Sequence, residues 1–136
     1  MNNRLIVSWA AMLFLLTSGY VYPALAAEVP QAKPDKGLVV FYRLDKLAGS
    51  AIRFNLNHTS GPMGQLLRGT MIHKYFEPGE HQFWSQVISK DSITLKVEAG
   101  QIYFIRGETK MGVFAGRPQF TRVPESQAKA DLANLK

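Results

Sequence analysis

The side chains with chemical potential are few and scattered. Three histidines, His58, His73 and His81, stand 15 and 8 residues apart, a spacing that matches no familiar zinc motif. Hydroxyls occur at Ser50, Thr59, Ser60, Ser85, Ser89 and Ser92, but none lies in a G-x-S-x-G nucleophile turn. The carboxylates Glu77 and Glu80 flank a Pro-Gly turn, where solvent is enough to satisfy them. Gly61-Pro62-Met63-Gly64 is interrupted by proline and opens no helix, so it is not a phosphate-binding loop. His81 follows a turn, and its expected role is a hydrogen bond to backbone rather than proton transfer. Cysteine is absent, which excludes disulfides, thiolate metal sites and cysteine nucleophiles. The expectation is a protein that is not an enzyme, with no catalytic residues, cofactor or metal site. The alternative is a hydrolase of unfamiliar pattern, and it requires a pocket where a histidine reaches a serine or a carboxylate.

The elements that must position these groups begin after a leader. Arg4, the apolar run Leu5–Leu16 and the small residues Ala24-Leu25-Ala26-Ala27 have the order of a secretory signal peptide, residues 1–27, cleaved after Ala26 or Ala27. The run is short for a membrane span. Tyr20 stands where a lipoprotein signal would need cysteine, so no lipid anchor is expected. The mature chain is expected to be periplasmic or secreted. Residues 28–36, with Pro30 and Pro34 and little apolar content, read as a flexible linker. Residues 37–136 form one domain.

Within that domain the hydrophobic pattern has mostly the two-residue period of strands. Leu38–Arg43 is apolar on both faces, which predicts a central strand covered on both sides. Ile52, Phe54 and Leu56 alternate with Arg53, Asn55 and Asn57, and His58–Pro62 is a cluster of turn formers. Further strands are expected at Met63–Leu67, Met71–Glu77, His81–Ile88, Ile93–Glu98 and Gln101–Arg106. Pro78-Gly79 fits the middle of a type II turn, and Ala99-Gly100 makes a second bend. Gly107–Lys110 is polar and reads as an interruption before a short segment at Met111–Ala115 and a last strand at Gln119–Val123. Pro124 suits a helix start, and Ala128, Leu132 and Leu135 form one apolar stripe. The expected fold is all-β: an antiparallel β-sandwich of about eight short strands, with one C-terminal amphipathic helix at 124–136 packed on a sheet.

Strands that are apolar on both faces imply a second apolar surface outside the sandwich core. If Phe83 and Tyr103 point inward, Trp84, Ile102 and Phe104 point outward. These three, with Tyr42 and Tyr75, are the candidate partner surface. The helix can cover part of it. The formal charge of +6 is spread over isolated lysines and arginines, and removing residues 1–27 takes away only Arg4. This reads as a solvated surface. No nucleic-acid recognition motif is present.

The ordered set Leu38-Val39-Val40-Phe41-Tyr42-Arg43, Gly64-Gln65-Leu66, Glu77-Pro78-Gly79-Glu80-His81, Glu98–Ile105 and Phe120-Thr121-Arg122-Val123 resembles domain of unknown function 2846. The Pro-Gly-Glu-His run alone is similar to PEGA-type modules. The resemblance implies a bacterial envelope protein with a β-sandwich fold and no established activity, so it carries over no functional residue. Its members are often lipoproteins, a feature that Tyr20 contradicts here. The resulting expectation is a non-enzymatic envelope module of binding or structural role, contacting an envelope protein or a cell-wall polymer. In one form it is a carbohydrate- or peptidoglycan-binding module using Tyr42, Tyr75 or Trp84 as stacking platforms.

Overall fold

The computed structural model describes residues 28–47, 51–86, 90–111 and 116–135. The expected leader and its cleavage site lie outside them. Eight strands and a helix follow in chain order: β1 (Gly37–Arg43), β2 (Phe54–His58), β3 (Gly61–Leu66), β4 (Met71–Phe76), β5 (Gly79–Gln86), β6 (Lys90–Val97), β7 (Ile102–Met111), β8 (Gly116–Val123) and α1 (Glu125–Ala133). The strands form two four-stranded sheets, β4-β1-β7-β8 and β3-β2-β5-β6, giving the expected all-β sandwich with a C-terminal helix. Pairing is antiparallel except between β1 and β7, which run parallel with Leu38 opposite Ile102 and Arg43 opposite Gly107.

Alternation decides what each strand buries. All seven residues of β1 are buried. Val39 and Phe41 face the sandwich interior, while Leu38, Val40 and Tyr42 join a second cluster on the far side of the same sheet. β7 divides in the same way, with Tyr103 and Ile105 in the interior and Phe104 in the second cluster. Both central strands are covered on both sides, as their two apolar sets predict. The cover is α1, through Ala128 and Leu132, together with Leu135 just beyond its end. A nine-residue helix is marginal in isolation, so the sheet supplies its stability. It is shorter than expected: Pro124 is the extended N-cap, and Asn134 and Leu135 close a tighter last turn onto the carbonyls of Asp131 and Leu132.

Several expectations are corrected. Pro78-Gly79 does not join paired strands. β4 pairs with β1, whereas β5 pairs with β2 and β6, so the chain crosses there from one sheet to the other. The φ of Gly79 is 141°, well beyond the value near 80° that a type II turn requires. The bend at Glu98–Gln101 also crosses between sheets, but it is tight: Gln101 N–H donates to Glu98 C=O at 3.4 Å, and Gly100 takes the required positive φ of 79°. Gly107–Lys110 does not interrupt a strand, because its polar side chains alternate along one continuous ten-residue β7 paired to β8. The segment Met111–Ala115 yields only Met111 as strand, and residues 112–115 lie outside the described residues.

Arg43 is also not part of a solvated basic surface. It is 3% exposed and stacks over the Phe54 ring at 4.4 Å. Its guanidinium donates to the carbonyls of Ile52 and Leu66 and to Thr109 Oγ1. Residues 28–36, expected as a linker, make definite contacts. Val29 packs on the second cluster, Tyr75 Oη donates to Gln31 C=O at 2.6 Å, Lys33 lies 4.1 Å from the Tyr75 ring centroid, and Lys36 pairs with Glu77.

Candidate functional site

The outer face of the β3-β2-β5-β6 sheet is built by the strand positions that alternate with the core. On β2, Phe54, Leu56 and His58 point in, which turns Asn55 and Asn57 outward. On β5, Phe83 is interior, so Gln82 and Trp84 face out. On β6, Leu95 and Val97 are interior, so Ser92, Thr94 and Lys96 face out. Register then sets the rows. Trp84 stands between Asn57 of β2 and Ser92 of β6, and Gln82 stands opposite Thr94. Gln65 of β3 is opposite Asn55, and its Nε2 donates to Asn55 Oδ1 at 3.1 Å. Asn55, Gln65, Gln82, Ser92 and Thr94 are exposed, while Trp84 and Asn57 are half-buried. The result is one indole set among amides and hydroxyls, with Lys90 Nζ 5.1 Å from its ring centroid.

The five residues expected to share a partner surface do not lie together. Trp84 is on this face, whereas Ile102, Phe104, Tyr42 and Tyr75 belong to the cluster outside the other sheet. Phe104 and Tyr42 are buried there at 3% and 0% exposure. Ile102 and Tyr75 are half-buried in the cluster that also receives Val29. The split arises because β5 and β7 lie in different sheets.

Tyr42 is tied down by polar contacts under α1. Its hydroxyl donates to Asp131 Oδ2 at 2.6 Å, and the same carboxylate accepts from Gln127 Nε2 at 2.8 Å and an Arg106 terminal nitrogen at 3.3 Å. Burial alone would raise the Asp131 carboxyl, but the Tyr42, Gln127 and Arg106 hydrogen bonds and the Arg106 charge outweigh it and hold the group below the usual carboxylate range. Burial, the Asp131 hydrogen bond and the Asp131 charge push the Tyr42 phenol well above its ordinary value.

Two histidines meet where β2 and β5 pair. Ser60 N–H donates to His58 Nδ1 at 3.1 Å, so that nitrogen carries a lone pair. The proton of His58 is therefore on Nε2, from which it is donated to His81 Nδ1 at 2.9 Å. This leaves the His81 proton on Nε2, donated to Glu77 C=O at 2.7 Å. Both rings are neutral in this chain of bonds, and His81 makes the backbone contact expected of it. The Ser60 hydroxyl also reaches His58 Nδ1, at 2.7 Å. That is the imidazole–hydroxyl contact a hydrolase needs, but here the same nitrogen caps the backbone of the turn between β2 and β3. The turn-former cluster His58–Pro62 predicts a place in that turn for His58. The run Phe54, Leu56, His58, read one step further, would have placed it inward.

Burial, the neighbouring His81 and the charge of Lys74 lower the basicity of His58. The linkage has a definite sign. Above about pH 6.5, the value of an ordinary histidine, folded and unfolded chains carry the same neutral ring, and the contribution to stability is complete. As pH falls below that value, the unfolded chain takes up a proton that the folded ring resists, and stability is lost until the folded pKa is passed. Urea denaturation between pH 7 and pH 5 is expected to show this fall in wild type, and His58→Gln is expected to reduce its slope. Equal slopes would contradict the assignment.

Two clefts are formed among the described residues. One, of about 230 Å³, is lined by Arg43, Leu44, Lys46 and the Gly107–Thr109 segment. The other, of about 320 Å³, is lined by Lys90, Asp91, Lys110, Arg117, Pro118 and Gln119.

Comparison with known proteins adds a family and one relative. Residues 33–117 match the family described as Protein of unknown function (DUF2846). An uncharacterized protein of Haemophilus influenzae is 31% identical over 104 residues, covering 76% of this chain and 61% of the relative, so the chain spans less than two thirds of that relative's length.

Proposed function

This chain belongs to the DUF2846 family of proteins of unknown function, and from that premise we propose that it is a non-enzymatic binding module exported to the bacterial cell envelope, where the outer face of the β3-β2-β5-β6 sheet holds a cell-wall glycan. The observation that carries this reading is the setting of Trp84. A sugar ring has one apolar face of C–H groups and a rim of hydroxyls. An indole offers a flat apolar platform with a polar edge, and the rows Asn57–Trp84–Ser92 and Gln82–Thr94 surround it with groups that donate and accept hydrogen bonds. Strands about 4.8 Å apart give an extended polymer a surface on which several units can rest. Export rests on the leader pattern of residues 1–27 and the non-enzymatic character on the absence of a nucleophile motif. The commitment of His58 Nδ1 to the Ser60 backbone supports the latter.

Sedimentation with purified cell-wall sacculi tests the reading. Wild type is expected to co-sediment, and Trp84→Ala is expected to lower the retained fraction by at least about tenfold, consistent with aromatic anchors dominating such interfaces, while leaving the Tm within a few degrees. No retention of wild type, or equal retention of the two proteins, contradicts it.

A further inference from the structure

We propose that the glycan bound on the Trp84 face is anionic, with its carboxylate or phosphate groups seated in the cleft formed by Lys90, Lys110 and Arg117; this rests on the Trp84 reading and specifies its ligand class. Three observations lead to it. First, the face and the cleft are continuous through a single side chain: Lys90 lies over the Trp84 ring and also lines the cleft. Second, the cleft gathers three like charges. Lys110 and Arg117 are directly opposite on β7 and β8, an arrangement that costs stability in an antiparallel pair. Lys90 adds a third positive group from the other sheet, and all three are exposed. Third, the cleft is net positive: against Lys90, Lys110 and Arg117 its described lining residues set one carboxylate, that of Asp91. Asp91 Oδ2 accepts the Phe120 N–H at 2.7 Å, tying the edge strands β6 and β8 together. The glutamate nearest along β7, Glu108, pairs with Arg106 at 2.9 Å.

The positive field of such a cleft attracts oxyanions beyond contact distance, and its exposure makes the attraction sensitive to salt. A sugar stacked on Trp84 brings a substituent on its neighbour toward Lys90. Lys110 and Arg117 then extend the cationic track away from the ring. A neutral polymer would use the indole and the amide rows and leave the cleft unused. An oxyanion on the polymer engages both.

Binding is read by the Trp84 fluorescence of a Trp9→Phe protein and, independently, by calorimetry. The probes are a neutral glucan oligomer, a uronic acid oligomer of equal length, a phosphodiester-linked glycan and inorganic phosphate alone. The anionic oligomers are expected to bind at least tenfold more tightly than the neutral one at low salt. The advantage should vanish near about 0.5 M salt, where the screening length falls to a few ångströms. The double variant Lys110→Gln, Arg117→Gln, which leaves Lys90 over the indole in place, is expected to weaken anionic binding by about tenfold, taking each exposed charge as worth roughly threefold, and to leave neutral binding within twofold. The stronger of the two anionic arms identifies carboxylate or phosphate as the natural group. Equal affinity of wild type for neutral and anionic oligomers, or full retention of anionic binding by the double variant, overturns the cleft while the Trp84 face stands. Anionic binding that survives Trp84→Ala in calorimetry overturns the face, and this inference with it.

Discussion

Phe41→Ala is expected to lower the free energy of unfolding by about 4 kcal/mol, in the range measured for large-to-small changes in a packed core. The corresponding drop in Tm is roughly 15–25 °C for a domain of this size. Phe41 is fully buried in the middle of β1. Its ring meets Phe83 of the opposite sheet at 5.0 Å and Phe120 of β8 at 5.7 Å. The rings it would leave behind are fixed by paired strands on two different sheets, so the cavity cannot close without breaking register. Phe41→Leu keeps most of the volume and is expected to cost less than about 1.5 kcal/mol. Urea denaturation of the two variants separates cavity formation from loss of the aromatic contacts. A Phe41→Ala protein within 1 kcal/mol of wild type would mean that the two sheets are not held together at this point.

Asp131→Ala is expected to cost about 3 kcal/mol, because it strips a shared acceptor from three donors, one of them the Arg106 guanidinium in a part-buried site. Tyr42→Phe removes a single donor and is expected to cost about 1.5 kcal/mol. The double variant should cost less than the sum, since the two groups share one bond. The loss is local in its first effect: α1 is too short to hold without its seat, so amide exchange in Glu125–Ala133 should accelerate before the sandwich opens.

The pH profile gives an independent check. The Asp131 carboxyl lies low in the folded chain, so its contribution is present above about pH 4, the ordinary carboxylate value, and is lost as pH falls through the folded pKa. The Tyr42 phenol lies high, so its contribution is complete below about pH 10 and is lost as pH rises through the folded pKa. Both limbs should flatten in Asp131→Ala. Unchanged limbs would show that the carboxylate and phenol do not act on one another.

What the sequence made legible follows from the range of the interactions involved. The two-sided burial of β1 and the need of α1 for a sheet were readable because a strand or helix pattern is local. The Tyr42–Asp131 bond spans 89 positions, and Asp131 sits in a helix whose other polar residues suggest a solvated face, so no local pattern announced it. The same limit governs the candidate site. Glycine and proline marked the bends at Gly79 and Gly100, but which strands pair across a bend is settled by partners far along the chain. Alternation groups Trp84 with Ile102 and Phe104, because it tells which residues point out of the sandwich but not from which sheet. The crossings between sheets put Trp84 on the opposite side of the molecule, among Asn55, Asn57, Gln82, Ser92 and Thr94, of which the alternating pattern before the His58–Pro62 turn singles out Asn55 and Asn57 as outward-facing. Arg43 follows the same logic: a basic residue ending an apolar strand looks like a surface group until the carbonyls of Ile52 and Leu66 close around it.

We propose that the Trp84 face, and not the helix-covered face, meets the glycan. Amide and indole NMR spectra of isotope-labelled protein, recorded during titration with soluble cell-wall glycan fragments, test it most directly. The largest shifts are expected at the Trp84 indole N–H and at the amides of Asn55, Asn57, Gln82, Ser92 and Thr94, with α1 and the Tyr75 strand unchanged. Shifts centred on α1, Tyr75 and Ile102, or an indole N–H that stays in place at saturation, would contradict it.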